Sequence, residues 1–144
     1  MDFRHLRKRR ISFVPIATAN KVADASALVA LLFAEPAGEE VYTVLSRGQL
    51  TAPNILPYEI ANAALMKVRR RRMDQDRALA GLDRYSRLEI ELMDIQMDEV
   101  FSLAAETGLT AYDASYLWLA RKLDCQLVTL DKKLHAAAGR LAAP

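Results

Sequence analysis

From Lys21 onward, short apolar runs and helix-length stretches take turns along the chain. This alternation restricts the fold more than any other feature. Lys21-Val22-Ala23, Gln49 to Ala52, Ile90 to Met93 and Gln126 to Leu130 read as strands. Between them the spacing predicts helices over Ser26–Phe33, Glu39–Arg47, Asn54–Arg72, Val100–Thr107 and Thr110–Leu123, with a terminal helix over Lys132–Ala138 before Gly139. Asn54 is the expected cap of the longest helix, and Pro57 fits its first turn, where a missing N–H costs nothing. Asp74 then caps a second helix carrying Leu79, Leu82, Tyr85 and Ser86, which returns antiparallel as an αα-hairpin. Strands separated by helices pair in parallel through crossovers, so the expected fold is α/β, with a central, mostly parallel sheet and helices on both faces.

Composition leaves little room for most chemistries. The chain is 52% hydrophobic and 26% charged, ordinary values for a globular domain. Its one cysteine, Cys125, forbids an internal disulfide and a thiolate zinc cage, and its two histidines, His5 and His135, lie near opposite ends. The glycines at 38, 48, 81, 108 and 139 never reach phosphate-loop spacing. Chemistry must therefore run on carboxylates.

Four carboxylates start from element ends that share one edge of a parallel sheet. Asp24 ends the first strand, Asp131 follows the last, Asp113 lies in the first turn of the helix between them, and Glu59 opens the long helix after the second strand. Ligands in open parallel sheets bind beyond the carboxyl ends of the strands. Four acids meeting there repel one another unless a cation neutralises them, and an all-oxygen site selects Mg²⁺ or Mn²⁺. Each acid also has a plain structural role. Asp24 and Asp131 suit helix caps, Thr110-Ala111-Tyr112-Asp113 is a capping-box pattern, and a glutamate such as Glu59 is common in a first turn. Only their joint appearance points to a site. Lys132 and Lys133 sit at a helix start, where the dipole disfavours cations, which suits neighbouring acids or phosphates. Lys67 and Arg69 to Arg72 suit either a phosphate backbone or a solvated helix end. Trp118 and Tyr116 read as core within a helix apolar nearly all round. Cys125 reads as a small buried residue.

Charge is unevenly spread. Residues 1–21 hold six basic residues against one acid, a balance of +5, whereas residues 22–144 carry −3. A basic arm on an acidic body suits contact with a polyanion, and suits a solubilising tail as well. The apolar stretch Ile11–Ile16 is too short, and too interrupted by Ser12 and Pro15, for a signal peptide, and no run of about 18 apolar residues exists to span a membrane. A cytoplasmic location is expected.

Four blocks carry a family resemblance. Val22-Ala23-Asp24-Ala25-Ser26-Ala27-Leu28, Tyr58-Glu59-Ile60-Ala61-Asn62-Ala63, Thr110-Ala111-Tyr112-Asp113-Ala114 and Leu127-Val128-Thr129-Leu130-Asp131 together resemble the signature blocks of PIN domains, most closely those of VapC toxins of type II toxin–antitoxin systems. The resemblance implies a three-layer α/β/α fold over residues 22–144, preceded by a basic extension at 1–21. It implies a Mg²⁺- or Mn²⁺-dependent endoribonuclease whose metal-site and catalytic acids are Asp24, Glu59, Asp113 and Asp131, flanked by the small polar Ser26 and Thr129. It further implies an RNA substrate such as tRNA or rRNA, a VapB-like antitoxin that blocks the acidic pocket, and a homodimer. Rival readings are a housekeeping PIN-type RNA-processing nuclease and a catalytically silent PIN-fold binding module. A phosphoacceptor domain also gathers acids at strand ends, but it needs adjacent acids after the first strand, and Asp24 is flanked by Ala23 and Ala25.

Overall fold

The computed structural model describes residues 20–142. Among these the order is β1 (Lys21–Ala23), α1 (Ala25–Leu32), α2 (Gly38–Leu45), β2 (Leu50–Pro53), α3 (Leu56–Arg69), α4 (Gln75–Ser86), β3 (Ile90–Met93), α5 (Met97–Thr107), α6 (Ala111–Lys122), β4 (Gln126–Val128) and α7 (Lys132–Ala142). The basic run at residues 4–10 lies outside the described residues.

The strands form one sheet in the order β3-β2-β1-β4, and every pairing is parallel. Val22 stands at its centre, opposite Thr51 on one side and Leu127 on the other. The predicted α/β/α layering follows from what covers the sheet. Helix α6 lies against β1, β2 and β4, with α5 and α7 packed on it. On the other side α1 anchors α2, α3 and α4, and α3 pairs with α4 as the expected hairpin. All residues from Ala114 to Ala120 are buried, so α6 has no solvent face along its middle. The largest fully buried side chains include Leu28, Leu31, Leu56, Ile60, Tyr116 and Leu134, one or more from each of α1, α3, α6 and α7.

Several boundaries differ from the sequence reading, each for a local reason. Strand β2 runs from Leu50 rather than Gln49 and extends one residue past the expected end at Ala52, to Pro53, which pairs with Met93. Its missing N–H is harmless because β1 has stopped pairing with β2 at Thr51. Asn54 does not cap α3; its side-chain amide donates to Asp94 at 2.6 Å, and Ile55 takes the cap position. Helix α5 starts three residues before Val100, at Met97, and α7 runs through Gly139 to Ala142. Strand β4 stops at Val128, because Thr129 and the Leu130 N–H turn toward Asp24 and Ser26. Helix α3 is closed without glycine. Arg71 sits at φ 56° while Arg72 N donates to Lys67 O and Arg71 N to Val68 O. Gly81 meets a steric requirement instead: a Cβ there would stand 2.1 Å from Cε1 of the buried Phe33 ring.

Candidate active site

Four helix N-termini meet at the carboxyl edge of the sheet, and each brings one acid. Asp24 is the N-cap of α1 and Asp131 directly precedes α7, while Glu59 and Asp113 lie in the first turns of α3 and α6. The partial positive charge at those termini offsets some of the mutual repulsion.

Asp24 is the fixed point, only 4% exposed. Its Oδ1 accepts from Ser26 Oγ at 2.7 Å and from the Ala27 N–H at 3.1 Å, and its Oδ2 accepts from Thr129 Oγ1 at 2.7 Å. A carboxylate offers about four acceptor positions, so these bonds leave one free on Oδ2. The same hydroxyls bind the strand-to-helix turn. Leu130 N donates to Ser26 Oγ at 3.0 Å and Asp131 N to Thr129 Oγ1 at 3.0 Å. Asp131 Oδ1 then accepts from Leu134 N at 2.8 Å, capping α7. The capping and acidic roles thus coexist in both Asp24 and Asp131.

Glu59 accepts at Oε1 from the Tyr116 hydroxyl at 2.6 Å. Tyr116, read from the sequence as core, is fully buried as expected but also holds an acid of the cluster. Two signals for this stood in the sequence: a buried tyrosine hydroxyl needs a partner, and Tyr116 follows Asp113 by three residues, on the same face of α6. Asp113 is half-buried, and its own N–H donates to Thr110 Oγ1 at 3.1 Å.

The acids form an electrostatic ring. Burial pushes the Asp24 carboxyl above its ordinary range; Thr129, Ser26 and the Ala27 N–H pull it partly back, and the charge of Asp131 pushes it up again. Burial likewise raises Glu59, against the Tyr116 hydrogen bond and with the charges of Asp113 and Asp24. Asp113 is raised by burial and by Asp131, and lowered by Thr110 and Lys133. Tyr116 is pushed far up by burial and by its bond to Glu59, so it remains a proton donor.

Among the described residues no three His, Cys, Asp or Glu side chains stand ready-made around one metal position. The donor set itself fits a hard cation: only oxygens converge, one acceptor position on Asp24 is open, and the repulsion of the ring is what a divalent ion relieves.

Two other features lie apart. A cleft of about 500 Å³ beside α5 and α6 is lined by Glu99, Trp118 and Lys122 but by none of the four acids. Those three engage one another, Trp118 Nε1 donating to Glu99 at 2.6 Å and Lys122 standing 3.6 Å from the same carboxylate. Arg69 lies ten residues beyond Glu59 along α3, about 15 Å away at the usual helical rise, and Lys67 is paired with Glu35. Cys125 is half-buried and burial pushes its thiol up, which suits an inert side chain.

Residues 21–140 match the family profile described as PIN domain. The chain belongs to the PIN domain family. Its VapC-type relatives include Ribonuclease VapC3 of Pyrobaculum aerophilum, 32% identical over 128 residues that cover 85% of this chain and 98% of that protein. Exonuclease VapC9 of the same organism is 36% identical over 115 residues, covering 80% and 83%. Among solved structures, the crystal structure of PAE2754 from Pyrobaculum aerophilum superposes with a TM-score of 0.68 at 32% identity, covering 88% of this PIN domain chain and 93% of that one. The resemblance carried by the four sequence blocks and the layered α/β fold are both borne out.

Proposed function

We propose that this PIN domain chain is a metal-dependent endoribonuclease acting as the toxin of a VapBC-type pair. The observation that carries the reading is the ring of Asp24, Glu59, Asp113 and Asp131, mutually repelling oxygen donors at the carboxyl edge of a parallel sheet. These four would hold Mg²⁺, or Mn²⁺ in its place. Bound there, such an ion supplies a water activated for attack on a phosphodiester and neutralises charge developing on the phosphate. The protein's own part is preorganisation. Ser26, Ala27 and Thr129 lock Asp24 in one orientation, Tyr116 holds Glu59, and the cap on α7 holds Asp131. Lys133, close enough to Asp113 to favour its charged form, is placed to meet a phosphate at the rim.

The names of the ribonuclease relatives support RNA as substrate, and the VapC names support a VapB-like antitoxin as partner. A homodimer and a cytoplasmic location belong to the same reading; no described helix is long and apolar enough to cross a membrane. We assign residues 22–144 to the nuclease domain and residues 1–21 to a basic extension that adds affinity for RNA.

The test is cleavage of total RNA by the purified chain and by Asp113→Asn with Mg²⁺, Mn²⁺ or EDTA. Cleavage is expected only with metal, and Asp113→Asn is expected to cut at least about 100-fold more slowly while remaining folded. Cleavage in EDTA, or an equally active Asp113→Asn, overturns the reading. The relative named an exonuclease favours a second mode, removal of terminal nucleotides. Internal fragments from a circular RNA support the endonuclease; mononucleotides from a linear RNA alone support the exonuclease.

A further inference from the structure

The bend between α3 and α4 is built from arginine. Arg69 ends α3, Arg70 caps it, Arg71 and Arg72 form the turn, and Arg77 lies in the first turn of α4. Backbone groups gather them at one tip: Arg71 N donates to Val68 O at 3.0 Å, Arg72 N to Lys67 O at 2.9 Å, and Arg77 N to Asp74 Oδ1 at 2.8 Å. All five arginines are exposed, and among the described residues none of their guanidinium groups has a hydrogen bond or an ion pair. Neighbouring cations are engaged: Lys67 pairs with Glu35, Arg84 donates to Leu32 O at 3.0 Å, and Arg87 donates to Asp83 at 2.6 Å. With Asp74 and Asp76 counted, residues 69–77 carry a charge of +3.

Helix stability does not account for this run. Arg69 and Arg70 suit the negative end of the α3 dipole. Arg71, however, sits at φ 56°, where glycine is unstrained and a side chain is not, and Arg77 sits where the α4 dipole disfavours a cation. The composition of the tip narrows what it can hold. A protein partner or a lipid surface needs an apolar centre, and Met73, the one apolar residue from 69 to 77, is half-buried against the core. Guanidinium forks match phosphate oxygens, and a row of them matches a phosphate backbone. An open face joins the tip to the acids. Tyr58, Ala61, Asn62, Leu65 and Arg69 are exposed at three- and four-residue spacing along one side of α3, with no carboxylate among them.

We infer that the arginine tip, Arg70 to Arg72 with Arg77, is a second RNA-binding site that clamps backbone phosphates of the strand being cut. Arg69 stands ten residues, about 15 Å, beyond Glu59 on α3, so the tip meets phosphates about four or five nucleotides from the bond presented to the acids. Phosphate contacts carry no sequence information, so the tip adds affinity and register for any RNA rather than choosing one. The inference rests on the nuclease reading above and concerns a surface apart from the four acids.

The test compares the full wild-type chain with a triple variant, Arg71→Gly, Arg72→Gln and Arg77→Gln, on two single-stranded RNAs of about 20 nucleotides and unrelated sequence. Glycine suits the Arg71 backbone and the other two side chains are exposed, so the variant keeps its fold. Binding is measured in EDTA from about 50 to 200 mM salt, and cleavage with Mn²⁺. At low salt the Kd is expected to rise roughly 10- to 100-fold on both RNAs, and the slope of log K against log salt to fall by about 2, at about 0.7 per lost contact on a single strand. The KM should rise while kcat and calorimetric Mn²⁺ binding stay unchanged. Arg71→Lys, Arg72→Lys and Arg77→Lys together keep the charge, so most of the salt slope should remain and the Kd should rise only a few-fold. Unchanged affinity and salt slope in the triple variant, with a wild type that binds and cuts RNA, overturns the clamp and leaves the nuclease reading standing. A fall in kcat or in Mn²⁺ binding assigns the effect to the fold or the acids and overturns the clamp as well. Phosphatidylserine vesicles that bind the wild type but not the triple variant, with RNA affinity equal in the two, overturn it in favour of a membrane surface. A wild-type chain that neither binds nor cuts RNA removes the nuclease reading and this inference together.

Discussion

The bond between Tyr116 and Glu59 provides a measurable link between the fold and the site. Tyr116→Phe keeps the ring in its fully buried slot and removes only the hydroxyl, so no cavity of consequence opens. What is lost is a 2.6 Å hydrogen bond to a carboxylate. Bonds to charged groups contribute about 1.5–3 kcal/mol, and the half-exposed Glu59 recovers part of this from water, so a loss of about 1.5–2 kcal/mol is expected at neutral pH. At roughly 3–4 °C per kcal/mol for a chain of this size, the melting temperature should fall by about 5–8 °C. The loss also depends on pH. Glu59 already titrates above its ordinary range, and the Tyr116 bond is what opposes that rise. Without it the folded-state value climbs further, and the folded variant holds a proton over a wider interval than the unfolded chain does. Stability of the variant therefore falls more steeply as pH rises through that interval, and the gap from wild type is wider at neutral pH than in acid. Thermal unfolding of both chains from pH 4 to 8 without divalent cation measures it. A Mn²⁺ titration is expected to show affinity weakened about 10-fold or more, as for other groups that orient a ligand. A melting-temperature loss identical at every pH, or Mn²⁺ binding unchanged, would refute the reasoning.

Without a cation, Asp24, Glu59 and Asp113 together make the folded chain bind more protons than the unfolded chain above the ordinary carboxylate range. Their contribution is most favourable in acid and is lost as pH rises through the raised values, whereas millimolar Mn²⁺ restores stability at neutral pH but not in acid, where protons compete. Asp24→Asn keeps an oxygen that accepts from Ser26 and Ala27 but replaces Oδ2, the acceptor of the Thr129 hydroxyl, with an NH₂ group. Loss of that bond, about 1 kcal/mol, offsets the relief of crowding. The variant should therefore melt within a few degrees of wild type at neutral pH while losing cleavage, and a fall of more than about 2 kcal/mol would contradict the crowding argument. Two glycine substitutions should differ in sign. Gly81→Ala, which drives a Cβ into the Phe33 ring, should cost about 1–3 kcal/mol, while Gly139→Ala, with open space inside α7, should gain about 0.5 kcal/mol in urea unfolding.

Much of the fold was legible because its signals are local. Strand and helix periods distinguish the elements around Val22, Leu31 and Ile60, and caps such as Asp24, Asp74 and Thr110 announce helix starts within three residues. Parallel order followed from the helices between strands. The meeting of four acids at one edge followed from that order, since each lies next to an element end. Boundaries were less legible wherever a distant partner intervened. Asn54 looked like a cap until Asp94, forty positions on, took its amide. Gln126–Leu130 looked like one strand until Ser26 and Thr129 pulled its last residues toward Asp24.

The sequence by itself determined the element types, the parallel architecture and the identity of the converging carboxylates, because these depend on periodicity, caps and chain order. Only the tertiary structure decided that Tyr116 is Glu59's partner across 57 positions, that Asp24 is saturated save for one acceptor position, and that Lys67 near the end of α3 is paired with Glu35. Those facts depend on which helix faces meet once the sheet register is set, and no local pattern encodes a contact between residues that the chain brings together only on folding.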